Sequence, residues 1–228
     1  MEVGGNKHYI TKTKCMTVGR LQENIVLEDG SVIKNCDKYK YLGLKITNDG
    51  KLDEGIKDRI MQGRRAISML KGVLWDQGIS KANKKNIYNT VVKSIITYGS
   101  EVWQLKSRTE NMLLATEMDY WRRSAEKSKR EQITNNRVRE IMGAEHTIVD
   151  DIRTKQLIWF GHVQRMPDHR IPKQILLCTP RGRNKRGRPQ RSWREGVDKE
   201  LENREIPDDL WLNRQKWKLG VGKRRRTF

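Results

Sequence analysis

The spacing of apolar and polar residues divides the chain into a short β segment followed by helices. Residues 13–18 and 39–47 are rich in strand-forming side chains, which predicts two strands. Residues 25–27 and 32–34 flank Asp29-Gly30, a dipeptide that favours a hairpin turn. We therefore expect residues 1–50 to form a small antiparallel β segment.

From Asp53 onward the apolar period becomes helical. Asp53 is expected to cap the first helix, because its carboxylate can accept hydrogen bonds from the first turn. The apolar residues of this helix recur at spacings of four and three and predict one buried stripe, formed by Ile56, Ile60, Gly63, Ile67, Leu70 and Leu74.

Two more helices are predicted before residue 126. Ser80 is expected to open the second, whose apolar face would hold Ile87, Val91, Ile95 and Tyr98. Ser107 and Glu110 form a capping-box pattern that opens the third, with Leu114, Met118 and Trp121 directed inward. Because the connections are short, residues 51–126 predict a three-helix antiparallel bundle.

Residues 127–179 predict further helices. Thr134 is expected to cap one that ends at Gly143, and Thr147 to cap a longer one that ends before Pro167. The pair Trp159-Phe160 on the longer helix belongs either to the core or to a platform for base stacking. Its helical spacing among aliphatic residues favours the core. The expected fold class is therefore mainly α, with a small N-terminal antiparallel β segment.

The C-terminal region, residues 180–228, combines a basic loop with helices. Proline and glycine interrupt regular structure between residues 180 and 191. This segment and the residues after it are dense in cations, namely Arg181, Arg183, Lys185, Arg186, Arg188, Arg191 and Arg194. A helix follows, with Trp193, Val197 and Leu201 on one face. The chain ends in a candidate nuclear-import signal, formed by Lys223, Arg224, Arg225 and Arg226.

Charge indicates the class of partner. The chain has 228 residues, with 48 lysines and arginines against 28 acidic residues, and its formal net charge is +20. Such a field favours a polyanion, through phosphate contacts that release counterions. The expected partners are RNA and/or DNA, bound without sequence specificity. The sequence does not predict the oligomeric state.

Other classes of partner and site find little support in the sequence. No stretch approaches the roughly 20 apolar residues that span a bilayer, so no membrane partner is expected. The N-terminus, Met1-Glu2-Val3-Gly4-Gly5, lacks the apolar core of a signal peptide. We therefore expect an intracellular protein, in the nucleus or the cytoplasm. Cys15, Cys36 and Cys178 form no disulfide framework. Three zinc ligands could come from His162, His169 and Cys178, but their spacing fits no common zinc finger. We predict no metal, cofactor or small-molecule substrate.

Four sequence blocks resemble the C-terminal part of reverse transcriptases encoded by non-LTR retrotransposons, in the order found in that family. The first two are Tyr41-Leu42-Gly43-Leu44 and Ile96-Thr97-Tyr98-Gly99-Ser100-Glu101-Val102-Trp103. The last two are Trp159-Phe160-Gly161-His162-Val163-Gln164-Arg165-Met166 and Arg186-Gly187-Arg188-Pro189-Gln190-Arg191-Ser192-Trp193. The resemblance extends from about Lys12 to about Trp217.

The resemblance implies which regions of a reverse transcriptase are represented. Residues 1–50 would be the end of the palm, residues 51–126 the thumb, residues 127–179 the post-thumb helices, and residues 180–228 the basic loop and last helices. The family holds two catalytic metals with palm aspartates, partly in a Tyr-x-Asp-Asp turn a few tens of residues before Lys12. Only eleven residues precede Lys12, and Glu2 is their only carboxylate. The expectation is a fragment without polymerase activity of its own.

Two groups of cations are candidates for nucleic-acid binding. Lys57, Arg64 and Lys71 recur every seven residues and would line one edge of the first thumb helix, which in the family follows the template–primer duplex. A solvated helix face shows the same pattern. The basic loop, with Arg181, Arg183, Lys185, Arg186, Arg188 and Arg191, is the other candidate, since arginine pairs bidentately with phosphate. Its alternative is a solubilising linker.

Three interpretations of the whole chain follow. The first is a catalytically inactive, nucleic-acid-binding fragment of a reverse-transcriptase-like protein. The second is an inert pseudogene product or a protein-interaction module. The third is a part of an active reverse transcriptase whose palm is supplied elsewhere.

Overall fold

The computed structural model describes residues 13–18, 23–178, 192–207 and 209–223. They group into two compact units, one up to Asp58 and one from Arg59. The architecture is mainly helical, with small antiparallel hairpins near the N-terminus, so the predicted fold class is confirmed.

The first predicted hairpin is present in the first unit. Strands β1 (Ile25–Val26) and β2 (Val32–Ile33) pair antiparallel, with Ile25 opposite Ile33. The turn between them is stabilised by the Asp29 carboxylate, which accepts a hydrogen bond from the Ser31 backbone N–H at 2.9 Å. The strand predicted for residues 13–18 was wrong, because the described structure there is an isolated bridge between Cys15 and Asn35.

The single strand predicted for residues 39–47 was also wrong. The chain forms a second hairpin from β3 (Lys38–Tyr41) and β4 (Leu44–Thr47). Leu42 and Gly43 make the turn with φ angles of 46° and 78°. Two successive positive φ angles give the tight turn whose twist matches a hairpin, and glycine adopts that conformation without strain. This turn was difficult to predict from the sequence because leucine rarely adopts a positive φ angle.

The stripe predicted for the first helix is confirmed. Helix α1 (Asp53–Met69) and the short helix α2 (Lys71–Trp75) are separated at Leu70. The stripe residues Ile56, Ile60, Ile67 and Leu74 are fully buried. A Cβ at Gly63 would lie 2.3 Å from Ile96 Cγ1, so only glycine leaves room for Ile96 at this position. Asp53 is the first residue of the helix rather than the residue before it, so its predicted capping position was one residue too late.

The stripe leads to a stability prediction. We expect Ile67→Ala to lower the free energy of unfolding by about 2–5 kcal/mol, because the change removes buried methyl groups and leaves a cavity. The matched control is Met69→Ala, two residues along the same helix, where the side chain is 87% exposed. Urea unfolding followed by circular dichroism measures both. A change below about 0.5 kcal/mol in Ile67→Ala would contradict the assignment of this residue to the core.

The second predicted helix begins with the predicted capping residue, but the residues that it buries differ from those predicted. The Ser80 hydroxyl accepts a hydrogen bond from the Asn83 backbone N–H at 3.2 Å, and the helix runs through α3 (Lys81–Ile87), a π turn (Tyr88–Val92) and α4 (Lys93–Ile96). The buried residues of this helix include Lys84, Tyr88, Val92 and Ile96, whereas Val91 and Tyr98 are exposed. The predicted face was therefore wrong by one position. A π turn holds one more residue than an α turn, so it keeps these residues, four apart, in line.

The third predicted helix is present, but the predicted capping box was wrong. Helix α5 runs over Ser107–Ser124, and the Lys106 backbone N–H donates to Thr109 Oγ1 at 3.0 Å. Glu110 instead accepts a hydrogen bond from Arg153 at 2.9 Å. Of the three residues predicted to point inward, Met118 and Trp121 are buried and Leu114 is half-buried.

The next two predicted helices are confirmed. Thr134 caps α6 (Asn135–Met142), which ends at Gly143 with a φ of 62°. Thr147 and Asp150 form a reciprocal capping box at the start of α7 (Ile148–Gln164).

The C-terminal helices pack on α7. They are α8 (Ile171–Leu177), α9 (Trp193–Asn203) and α10 (Arg214–Gly222), with a 3₁₀ turn at Leu210–Leu212. The predicted helix containing Trp193, Val197 and Leu201 is therefore present. One core joins α7, α9 and α10 through Leu157, Phe160, Val197, Leu201, Ile206, Trp217 and Val221. No helix within the described ranges is long and apolar enough to cross a membrane.

Candidate nucleic-acid interface

Many carboxylates of the second unit form ion pairs with cations of the same unit. Asp151 pairs with Lys93 at 3.0 Å, and Glu110 pairs with Arg153 at 2.9 Å. The other ion pairs with acidic partners include Asp119–Arg123, Asp198–Arg194 and Glu200–Arg204. The following exposed cations have no carboxylate partner among the described residues of this unit: Arg65, Lys71, Lys81, Arg108, Lys129, Arg130, Arg170, Lys199, Arg214, Lys216, Lys218 and Lys223.

The three cations predicted to line a helix edge are all exposed. Lys57 and Arg64 lie on α1, while Lys71 is the first residue of α2. The boundary between the two units falls within α1, so Lys57 is grouped with the first unit and the other two with the second. Arg64 Nε donates to Thr116 Oγ1 of α5 at 3.2 Å. This bond fixes the base of the guanidinium plane beside α5.

The cations of α1 differ in their surroundings. Arg65, next to Arg64, is exposed. Arg59 is 9% exposed and its guanidinium lies 4.3 Å from the centre of the Tyr98 ring. Arg59 is therefore part of the packing between helices, whereas Arg64 and Arg65 are accessible to a partner. Heptad spacing did not separate these roles.

The strongest sequence candidate cannot be located in the structure. Residues 179–191, and with them Arg181, Arg183, Lys185, Arg186, Arg188 and Arg191, lie outside the described residues, as do Arg224, Arg225 and Arg226. Lys223 is exposed and follows α10. The sequence analysis missed the exposed cations of α10 itself, Arg214, Lys216 and Lys218. They could have been recognised from their positions on either side of the core residue Trp217.

Trp159 and Phe160, the aromatic pair of α7, lie in different environments. Phe160 is 2% exposed, and the Arg194 guanidinium lies 4.4 Å from the centre of its ring. This ring is a core residue, as its spacing predicted. Trp159 is half-buried, with its ring centre 5.6 Å from that of His162. Within the described ranges no group of three His, Cys, Asp or Glu side chains could hold a metal ion, and the three cysteines are free.

A buried charged cluster holds the second unit together. The Glu117 carboxylate accepts hydrogen bonds from Arg139 Nη2 at 2.7 Å, from the Tyr88 hydroxyl at 3.2 Å and from the Ile148 backbone N–H at 3.1 Å. These groups come from α5, α6, the π turn and α7. Burial raises the pKa of Glu117, and the Arg139 charge and the hydrogen bonds to the carboxylate offset part of that effect. Burial and the nearby Glu117 charge raise the pKa of the Tyr88 hydroxyl, which favours its protonated, donating form.

Comparison with known proteins gives one distant similarity. The chain is 24% identical over 182 residues to an uncharacterized transposon-derived protein of Caenorhabditis elegans. The alignment covers 78% of this chain and 65% of that relative, so it spans less than two thirds of the relative's length. No protein-family model matches the chain, and no solved structure matches it. The comparison supports distant homology to a protein of transposon origin.

Proposed function

We propose that the chain binds nucleic acid without sequence specificity, as the thumb and post-thumb region of a protein related to non-LTR retrotransposon reverse transcriptases. The observation that carries this proposal is the set of exposed cations of the second unit that have no carboxylate partner among its described residues. Unpaired surface cations can contact phosphates and release condensed counterions. The proposal gives these residues a binding role and no catalytic step.

Two further observations support the reverse-transcriptase relationship. The four family-like blocks run in order along the chain, and the distant relative is transposon-derived. The helical region that the resemblance assigns to the thumb begins at Asp53, directly after a β hairpin. Within it, Arg64 is the best-positioned phosphate contact, because Thr116 restrains its side chain and less entropy is lost on binding.

The edge cations provide the test of this function. We expect the triple variant Lys57→Ala, Arg64→Ala, Lys71→Ala to weaken binding to duplex DNA more than binding to a single strand of equal length. Each lost phosphate contact lowers the slope of log K against log salt by about 0.9, so the duplex slope should fall by about 1–3. Fluorescence anisotropy between about 50 and 200 mM salt measures this change.

A second triple variant serves as the charge-matched control. Lys81→Ala, Lys129→Ala, Arg130→Ala also removes three exposed cations, but from the first residue of α3 and from the 3₁₀ turn Lys129–Glu131 before α6. If both triple variants lower the duplex slope equally, binding depends on net charge and not on the proposed edge. If the unaltered chain binds no nucleic acid at low salt, the binding function is wrong and a protein-interaction module replaces it.

A further inference from the structure

A pocket lined by two tryptophans and by several charged side chains lies within the second unit. Its volume is about 470 Å³, within the usual range for small-ligand pockets. The walls come from the segment 103–105, from the first turns of α5, from α7 and from α9. The side chains that line it include Glu110, Arg153, Trp193, Glu195, Lys199 and Glu200.

Ion pairs fix the shape of this pocket. Arg153 Nη2 lies 2.9 Å from Glu110 Oε1, and Arg153 Nη1 lies 3.8 Å from Glu200 Oε2. Arg204 holds Glu200 from the other side, with Nε at 2.7 Å from Oε1. Because α5, α7 and α9 are tied together by these contacts, the pocket is formed before any ligand enters.

Trp193 offers an aromatic face to the pocket. Its indole N–H donates to the Glu101 backbone carbonyl at 2.9 Å, so the polar edge of the ring is already satisfied. The ring is half-buried and packs against the C-terminal core, which restrains it. A restrained aromatic face that lines a pocket is suited to stacking on a flat heterocycle.

Glu195 provides a hydrogen-bond acceptor at the rim. Its Oε2 accepts from the Ser192 backbone N–H at 3.1 Å in the capping box of α9. That bond orients the carboxylate, and among the described residues Oε1 has no hydrogen-bond donor. Glutamate in this arrangement accepts from an amino group, as it does from the exocyclic amine of cytosine.

We propose that this pocket takes one unstacked base of a single-stranded nucleic acid and prefers a base with an exocyclic amino group, such as cytosine. The inference rests on the proposed nucleic-acid binding and adds the part of the ligand that enters this site. Trp193 stacks on the base, and Glu195 accepts a hydrogen bond from its amino group. Lys199 lines the same pocket and can donate to an acceptor atom of the base or to a phosphate of the strand.

The charge balance of the pocket argues against a bare phosphate as the occupant. Three carboxylates, Glu110, Glu195 and Glu200, line it beside Arg153 and Lys199. An anion would meet more negative than positive side chains, whereas a base presents both donors and acceptors without charge.

Gly196 allows the pocket to be filled without disturbing the fold. It lines the pocket on α9, and a Cβ added there meets no atom within 4 Å. Leucine is also a better helix former than glycine.

We expect the unaltered chain to bind single-stranded oligocytidylate at least roughly 5-fold more tightly than oligouridylate of equal length, in RNA and DNA forms. In Gly196→Leu this preference should disappear while salt-dependent binding persists. Gly222→Leu, at another open helical glycine, should retain it.

The variant Glu195→Gln distinguishes the hydrogen-bond acceptor role of Glu195 from the effect of its negative charge on nucleic-acid binding in general. Glutamine can still cap α9, so the helix should be retained. The variant gains one unit of positive charge, so its affinity for oligouridylate should stay equal or rise, while the preference for oligocytidylate falls. A merely structural role for Glu195 would lower both affinities together.

The outcomes distinguish this inference from the proposed function. Salt-dependent binding without a base preference in the unaltered chain, or a preference that survives Gly196→Leu, would overturn the pocket and leave nucleic-acid binding intact. Absence of binding to every oligonucleotide would overturn both.

Discussion

Replacing Glu117 by alanine is expected to lower the free energy of unfolding by about 3–5 kcal/mol, since it breaks a buried ion pair and leaves one charge without its partner. Glu117 is 1% exposed and Arg139 is 4% exposed. The variant would leave the Arg139 guanidinium buried without its carboxylate, and it would deprive the Tyr88 hydroxyl and the Ile148 N–H of their acceptor. Urea unfolding of the full chain measures the loss.

The double variant Glu117→Met, Arg139→Met is the matched control. Exchanging a whole buried pair for apolar residues of similar volume is often neutral, since no charge is then left in the interior. We therefore expect the double variant to recover the part of the loss that comes from the unpaired Arg139 charge, while the Tyr88 hydroxyl and the Ile148 N–H stay without an acceptor. A loss below about 1 kcal/mol in Glu117→Ala would contradict the role of this cluster.

The raised pKa of Glu117 gives the same cluster a pH dependence. A carboxyl whose pKa is higher in the folded state binds more protons when folded, so its contribution to stability is lost as the pH rises from the ordinary 4.5 through the folded pKa. Glu117→Gln removes this titration. Its stability relative to the unaltered chain should therefore improve as the pH rises over that window.

Local sequence rules predicted the helix starts of this chain well. Ser80, Thr134 and Thr147 each accept a hydrogen bond from the backbone N–H three residues further on, a relationship that needs no tertiary contact. The stripe of α1 was also predictable, because an unbroken 3.6-residue period directly gives the buried face.

The errors arose where the backbone departs from the standard elements. The hairpin turn at Leu42 was hidden because leucine seldom adopts a positive φ. The π turn at Tyr88–Val92 keeps the buried residues Tyr88, Val92 and Ile96 four apart, whereas helical periodicity assumes that no such turn occurs. At the start of α5, Thr109 and not Ser107 supplies the side-chain acceptor.

The candidate sites depend on pairings that are distant in the sequence. Glu117 meets Arg139 from a neighbouring helix, and nothing in the spacing of charged residues distinguishes this buried pair from solvated ones. The base pocket brings Glu110, Arg153 and Glu195 together from three helices. Composition predicted a polyanionic partner but could not indicate which cations remain exposed, because that depends on which acids are already paired.

The arginine-rich segment should make the largest contribution to nucleic-acid affinity. We expect the fourfold variant Arg183→Ala, Arg186→Ala, Arg188→Ala, Arg191→Ala to weaken binding to all sequences alike. If most of these residues contact phosphate, the slope of log K against log salt should flatten by roughly 2–4, since each contact contributes about 0.9 on duplex DNA. Fluorescence anisotropy on RNA and duplex DNA between about 50 and 200 mM salt measures the slope.

A fourfold replacement of the same arginines by lysine shows whether charge alone carries this binding. Lysine retains the positive charge but lacks the planar fork that pairs bidentately with phosphate. If counterion release dominates, the lysine variant keeps the original slope while the alanine variant loses it, because the slope depends on the number of neutralised phosphates and not on hydrogen-bond geometry. If the alanine variant keeps the original slope, the segment is a linker. The exposed cations of the helical unit would then carry whatever binding remains, and the interpretation as a protein-interaction module would gain support.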